Sequence, residues 1–184
     1  MTRGTMLLAV GLVTLIPAPA GTQDRKGGVE VLFAPTHDKR MIQARLAEEI
    51  ASAKREIVVA VYQFTSRQLA EALANAHRRG VDVRVLADGN QASEHGTYGE
   101  ALKILETGGV ALRRVYPSGI DKKGAKVTAQ TPRFHHKFCV LDGERLITGS
   151  YNWTVQADTD NYENVVLMSK RDVAKQYLDR FEAI

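Results

Sequence analysis

The sequence predicts an α/β fold: a mixed, largely parallel sheet flanked by helices, with an antiparallel hairpin. Three observations lead there. Short β-prone runs alternate with helix-periodic segments from Val29 to Tyr116, the pattern of βαβ units. Glu56–Tyr62 (EIVVAVY) is a nearly continuous apolar run, as expected of a strand covered on both faces. Asp142-Gly143 stands between two β-prone runs, a strong hairpin signal. With 184 residues, 44% hydrophobic and 25% charged, the chain has the composition of a globular protein and the length of one domain. Its one cysteine, Cys139, excludes an internal disulfide framework and a Cys-rich metal cluster.

Met1–Ala20 has the marks of an export signal. Arg3 gives a positive start, Met6–Ile16 (MLLAVGLVTLI) an apolar run, and Ala18-Pro19-Ala20 a small-residue cleavage site before Gly21. As a helix, that run spans about 16 Å, roughly half a bilayer core and too short for a permanent anchor. Residues 21–184 are left as a single domain.

Val29–Phe33 reads as the first strand, and Pro35-Thr36 opens a helix in which Ile42, Leu46, Ile50 and Ala53 keep helical spacing. After the Glu56–Tyr62 strand, Ser66 caps a helix that buries Leu69, Leu73 and Ala76 and stops at Gly80. Val81–Ala87 is a strand, Tyr98–Glu106 a helix ended by Gly108-Gly109, and Val110–Tyr116 another strand. Pro117–Pro132 lacks apolar periodicity and reads as an exposed loop. Phe134–Leu141 and Arg145–Gly149 form the hairpin, and Tyr162–Met168 is the last strand. A closing helix from Asp172 turns Val173, Tyr177 and Phe181 inward.

The hairpin carries polar residues that a core does not need. Side chains alternate along a strand, so His135 and Lys137 face one way and His136 the other. A two-residue turn at Asp142-Gly143 sets His135 opposite Ser150 and Lys137 opposite Thr148. A four-residue loop sets His135 opposite Asn152 and Lys137 opposite Ser150. Either register is expected to put His135, Lys137, Ser150 and Asn152 on one face. An imidazole, an ammonium, a hydroxyl and an amide together suit a phosphoryl group: three of them donate to its oxygens, and imidazole is a competent nucleophile toward phosphorus. Asp142 lies roughly 20 Å along the strand from His135 and reads as the turn residue that fixes register.

The spacing His135-x-Lys137-x4-Asp142-x6-Gly149-Ser150-x-Asn152 resembles the HKD signature of the phospholipase D superfamily. Six specified positions at roughly 5% background each recur by chance in on the order of a few chains per million. Val58–Phe64, Gly80-Val81-Asp82-Val83 and Asn161-x-Glu163-Asn164 are also similar to the small single-motif members. Those most alike are short exported bacterial endonucleases, with the mitochondrial cardiolipin-hydrolase branch further off. The resemblance spans about Val29 to the C-terminus.

It implies a phosphodiesterase that uses no metal or other cofactor and works through a covalent phosphohistidine on His135. Lys137, Ser150 and Asn152 would bind the phosphate, and Glu163 would hydrogen-bond the second ring nitrogen of the nucleophile. In-line displacement needs a nucleophile and an acid on opposite sides of phosphorus, and this chain holds a single motif. A homodimer is therefore implied, with two His135 side chains meeting across a two-fold axis.

Net charge is +4, a weak hint by itself. Its distribution says more: Arg113, Arg114, Lys122, Lys123, Lys126, Arg133 and Lys137 stand against one acid, Asp121, in the stretch leading to the hairpin. That stretch is expected to guide a polyanion. Lys122-Lys123-x-x-Lys126 has no interleaved aromatic, which suggests contact with backbone phosphates without base reading. The leading expectation is thus a non-specific nuclease on DNA, with RNA open, in the periplasm or outside the cell. The alternative is a hydrolase of phospholipid headgroups, which needs an apolar surface to enter a lipid interface; the basic loop has no Trp/Phe/Leu cluster. A catalytically silent nucleic-acid binder would leave His135 unexplained.

The remaining candidates have plainer readings. His135 and His136 face opposite sides and cannot share one metal ion without a bulge. His136 reads as a packing or rim residue, and His37, His77 and His95 as surface residues. Cys139 reads as a small buried apolar group. Of Tyr151 and Trp153, core packing is expected for one, and base stacking is open to whichever is exposed.

Overall fold

The computed structural model describes residues 28–35, 41–92, 97–117 and 132–184. The expected export signal, and Lys122, Lys123 and Lys126 of the basic loop, lie outside the described residues. Strands β1 (Val29–Ala34), β2 (Glu56–Val61), β3 (Asp82–Asp88), β4 (Ala111–Val115), β5 (Lys137–Leu141), β6 (Arg145–Gly149) and β7 (Glu163–Met168) form one sheet in the order β1-β7-β6-β5-β2-β3-β4. The helices are α1 (Met41–Ser52), α2 (Arg67–Arg78), α3 (Gly89–Ala92), α4 (Thr97–Thr107), α5 (Val155–Thr159) and α6 (Arg171–Glu182).

Alternation in β2 explains the layering. Ile57, Val59 and Val61 join Val83, Val85, Cys139, Leu141 and Ile147 beneath α1, α2 and α4, represented by Leu46, Leu73 and Leu105. Val58 and Ala60 join Phe138, Val140 and Leu146 on the opposite face, beneath Ala174 and Phe181 of α6. Each fully buried leucine contributes about 1.5–3 kcal/mol. Ser66 caps α2 as expected, its Oγ accepting the Leu69 N–H at 3.2 Å, which is worth about 1 kcal/mol. Gly80 ends that helix with φ 90, a conformation that favours glycine.

The sheet is mixed, but its parallel share is smaller than expected. Among the described residues β2–β3 and β3–β4 are parallel, whereas β1–β7, β7–β6, β6–β5 and β5–β2 are antiparallel. The second half of the chain returns through a tight turn and the short α5, without the long crossovers that parallel neighbours need. On the α6 side, that helix packs over β6, β5 and β2. The edge strand β1 keeps Val29, Val31 and Phe33 at 54%, 48% and 65% exposure.

The hairpin register corrects both expected ones. Asp142 (φ 56) and Gly143 (φ 67) form the positive-φ pair of a tight turn, closed by the Glu144 N–H on Leu141 O at 3.1 Å. The ladder then resumes at Leu141↔Arg145 and runs to Phe138↔Thr148, so Glu144 is an extra, bulged residue. One residue of slip exchanges the faces of a strand. Continued in this register, Ser150 and Asn152 would not share the face of His135 and Lys137.

Candidate active site

Parallel and antiparallel pairings bring five strand ends to one edge of the sheet. Lys137 lies opposite Val61, and Gly149 opposite Val165. Hence the ends of β2, β3 and β6 and the starts of β5 and β7 meet there. Ligands of open α/β sheets bind at the carboxyl ends of the parallel strands.

The strand expected from Phe134 begins only at Lys137, and residues 132–136 make no ladder. Aromatic packing fixes this segment instead. The His136 ring stands edge-on to Phe134 at 5.1 Å and to Phe138 at 5.5 Å, and Phe138 meets Tyr177 of α6 at 5.0 Å. That row commits the even-numbered residues to the α6 face and turns His135 and Lys137 away from it. His136 is thus a packing residue, as expected. The main chain on each side of His135 is tied: the Phe134 N–H donates to Asp88 Oδ2 at 2.7 Å, and the Tyr62 N–H to His136 O at 2.8 Å. The His135 ring lies 4.7 Å from the Tyr62 ring. Lys137 Nζ donates to His135 O at 3.3 Å and sits 5.1 Å over the same tyrosine.

These neighbours set the charge states. Burial, then Lys137 and Arg133, lower the His135 imidazole below its ordinary value, with Asp88 opposing. That shift favours the unprotonated form of the ring, which keeps a lone pair. Burial lowers the Lys137 ammonium to about 8, with Glu163 opposing. Among the described residues, Lys137 has no carboxylate within ion-pair distance, and no group of three or more His, Cys, Asp or Glu is placed to hold a metal ion.

Ser150 arrives by a bend. A Cβ on Gly149 would lie 2.2 Å from Asn164 O, so only glycine permits this approach. The chain leaves the ladder there, and Ser150 Oγ donates to Glu163 Oε2 while accepting the Asn164 N–H at 3.1 Å. Asn161 Nδ2 donates to Glu163 Oε1 at 3.3 Å. His135, Lys137, Ser150 and Glu163 therefore gather at one edge, but not by the expected ladder. Glu163 is hydrogen-bonded to Ser150 and Asn161, and not to the His135 ring. No hydrogen bond joins Asn152 to His135 or Lys137; its Oδ1 is buried without a partner among the described residues.

Other expectations sort as follows. Asp142 lies at the opposite end of β5, outside the site. Its carboxylate accepts the N–H groups of Arg55 (2.7 Å), Lys54 (3.0 Å) and Glu56 (3.3 Å). Tyr151 and Trp153 are both 2% exposed, so neither is open to a base. Trp153 packs edge-on against Phe64 at 5.3 Å. Cys139 is buried, which pushes its thiol up, and it is no nucleophile. The sequence reading passed over Asp88, the acid that closes β3 after Val85, Leu86 and Ala87, and Tyr162, which is 92% exposed beside Glu163.

Comparison with known proteins bears on this arrangement. Residues 46–184 match the family described as "Cardiolipin synthase, PLD-like domain". The chain is 36% identical over 141 residues to a mitochondrial cardiolipin hydrolase of Xenopus laevis, covering 77% of this chain and 60% of that protein. It is 31% identical over 136 residues to a phospholipase D of Rickettsia felis, covering 74% and 60%. The chain thus spans about 60% of the length of these two curated relatives. The crystal structure of Nuc, a phospholipase D family member from Salmonella typhimurium, is similar with a TM-score of 0.69 at 26% identity, covering 85% of this chain and 93% of that one. NucT from Helicobacter pylori has a like fold, with a TM-score of 0.72 at 19% identity and coverage of 85% and 94%. By motif, fold and relatives, the chain belongs to the phospholipase D superfamily.

Proposed function

We propose that the chain is an exported, non-specific nuclease that hydrolyses phosphodiesters through a covalent phosphohistidine on His135, in a homodimer. The observation that carries the chemistry is the His135 imidazole beside the Lys137 ammonium, which has no carboxylate within ion-pair distance among the described residues. Lys137 binds the non-bridging oxygens of a phosphodiester, and the imidazole attacks phosphorus. A P–N bond forms, the P–O ester bond breaks, and the leaving oxygen takes a proton from the imidazolium of a second copy's His135. Water then attacks phosphorus, loses a proton to that second imidazole, and the P–N bond breaks. Nucleic acid is favoured as substrate by the basic approach, of which Arg113, Arg114 and Arg133 are exposed. Export rests on the leader-like first twenty residues.

A second reading has its own support. The basic loop has no Trp/Phe/Leu cluster to enter a lipid interface, yet Val29, Val31 and Phe33 are exposed on the edge strand and Tyr162 at the start of its neighbour. Hydrolysis of phospholipid headgroups is therefore the competing reading. One assay separates the two: plasmid DNA and labelled phospholipid vesicles, each in EDTA, with wild type beside His135→Ala. The nuclease reading expects DNA cleavage that survives EDTA and falls at least about 1,000-fold in the variant. Cleavage of lipid alone overturns it.

A further inference from the structure

Asp88 closes β3 at the site edge, is 1% exposed, and takes no part in the proposed reaction. Oδ1 accepts the N–H groups of Asn90 and Gln91, both at 3.0 Å, which ties the carboxylate to its own turn into α3. Oδ2 reaches 46 residues along the chain to the N–H of Phe134, at 2.7 Å. Phe134 cannot slide, because its ring is buried against His136 and the α6 face. On the other side of His135, the Tyr62 N–H holds His136 O. The His135 side chain itself makes no hydrogen bond among the described residues, so its aim comes from this main-chain clamp.

We infer that Asp88 is a positioning residue of the site, fixing the main chain at Phe134 and thereby the direction in which the His135 ring attacks. The inference rests on His135 being the nucleophile. A displacement of about 1 Å in a reacting group can cost on the order of 100-fold in rate, and the Tyr62 ring contact and the Lys137 bond to His135 O do not hold the main chain at Phe134. Asp88 also contributes charge. Lys137 of β5, Arg133 and His136 surround the imidazole, the Tyr62 ring lies tilted against it, and Glu163 acts on Lys137. Asp88 is the anion that supports the imidazolium. A carboxylate that only capped the α3 turn would change the folded fraction, and neither the turnover of folded enzyme nor its pH profile.

The test uses the full chain with bis(4-nitrophenyl) phosphate as substrate, in EDTA, with melting followed by circular dichroism. Asp88→Asn keeps one acceptor oxygen and loses the charge; Asp88→Ala loses both. We expect kcat to fall about 10-fold in the first and about 100-fold in the second, with KM within about twofold. In both, the acid limb of kcat/KM moves to lower pH, because the imidazolium has lost its supporting anion. Asp142→Asn serves as control, since that carboxylate also takes three backbone N–H groups but far from His135. The inference is overturned if Asp88→Asn keeps kcat within about twofold of wild type, or if its rate loss tracks the unfolded fraction as in Asp142→Asn. If Asp88→Ala does not fold, Asp88→Asn alone decides. Full activity in His135→Ala would sink the nucleophile itself and Asp88 with it. An inactive His135→Ala beside fully active Asp88 variants would sink only Asp88.

Discussion

The two ends of the β5–β6 hairpin are built to opposite specifications. At the turn, nearly every charge is answered. Asp142 takes three backbone N–H groups from the start of β2, Arg145 is paired with Glu49, and Glu144 with Arg55 at 3.3 Å and Arg171 at 2.5 Å. At the open end, Lys137 has among the described residues only a carbonyl and a tyrosine face, and the nearby Glu163 is hydrogen-bonded to Ser150 and Asn161. The same short ribbon is thus stitched shut where it folds and left electrostatically open where it meets the sheet edge. Groups left uncompensated in that way mark places where stability has been given up for chemistry. The contrast makes claims that can be broken from either end.

Of the variants that set one end of the hairpin against the other, Lys137 is expected to give the largest effect. Lys137→Met removes the cation proposed to bind the phosphate and should lower the rate on bis(4-nitrophenyl) phosphate by about 100- to 1,000-fold. It should not lower the melting temperature, because the ammonium it removes is half-buried and has no ion-pair partner among the described residues. A drop of several degrees alongside the rate would mean that Lys137 holds the fold, and the contrast between the ends would fail.

Asp142→Asn should behave in the reverse way. Burial alone would raise this carboxyl, but the N–H groups of Arg55, Lys54 and Glu56, and then Arg145, hold it below the ordinary range. Losing the charge-assisted bonds should cost about 2 kcal/mol, or a few degrees in Tm, and leave the rate per folded molecule within about twofold. The sign follows from linkage: a depressed carboxyl stabilises the fold above its unfolded value and loses that contribution as pH falls through the folded one. The variant should therefore lose most of its stability deficit below that window. A rate loss exceeding the loss of folded protein would return Asp142 to the site.

Legibility in the sequence followed the same division. The core elements were readable because burial imposes a period: Ile57, Val59 and Val61 could alternate only with Val58 and Ala60, and Ser66 could only cap. Of the expected site residues, His135, Lys137, Ser150 and Glu163 meet at one edge, by a geometry other than the one expected. One bulged residue, Glu144, reverses the facing of everything beyond it, and turn chemistry alone does not announce a bulge after an Asp-Gly pair. Ser150 reaches Glu163 because Gly149 allows the main chain to approach Asn164, a tertiary event with no local period. Asp88 was invisible for a related reason, since the N–H it holds belongs to a segment 46 residues away.

The finest prediction concerns the pH window that the open end creates. Burial lowers the Lys137 ammonium to about 8, so it loses its proton in mildly alkaline solution, where an ordinary lysine would keep it. With a neutral amine the phosphate loses its cation, so kcat/KM should fall on the alkaline side by about tenfold per pH unit above 8. Stability should move the other way. A base with a lowered folded value binds fewer protons in the fold than in the unfolded chain between about 8 and 10.5, so the burden of its buried charge is present below that window and fades as pH rises through it. Lys137→Arg, which stays protonated, should retain binding with reduced kcat and lose the part of the alkaline limb that begins near 8. If the limb persists unchanged in Lys137→Arg, another group titrates there, and the ammonium is not the cation that limits phosphate binding.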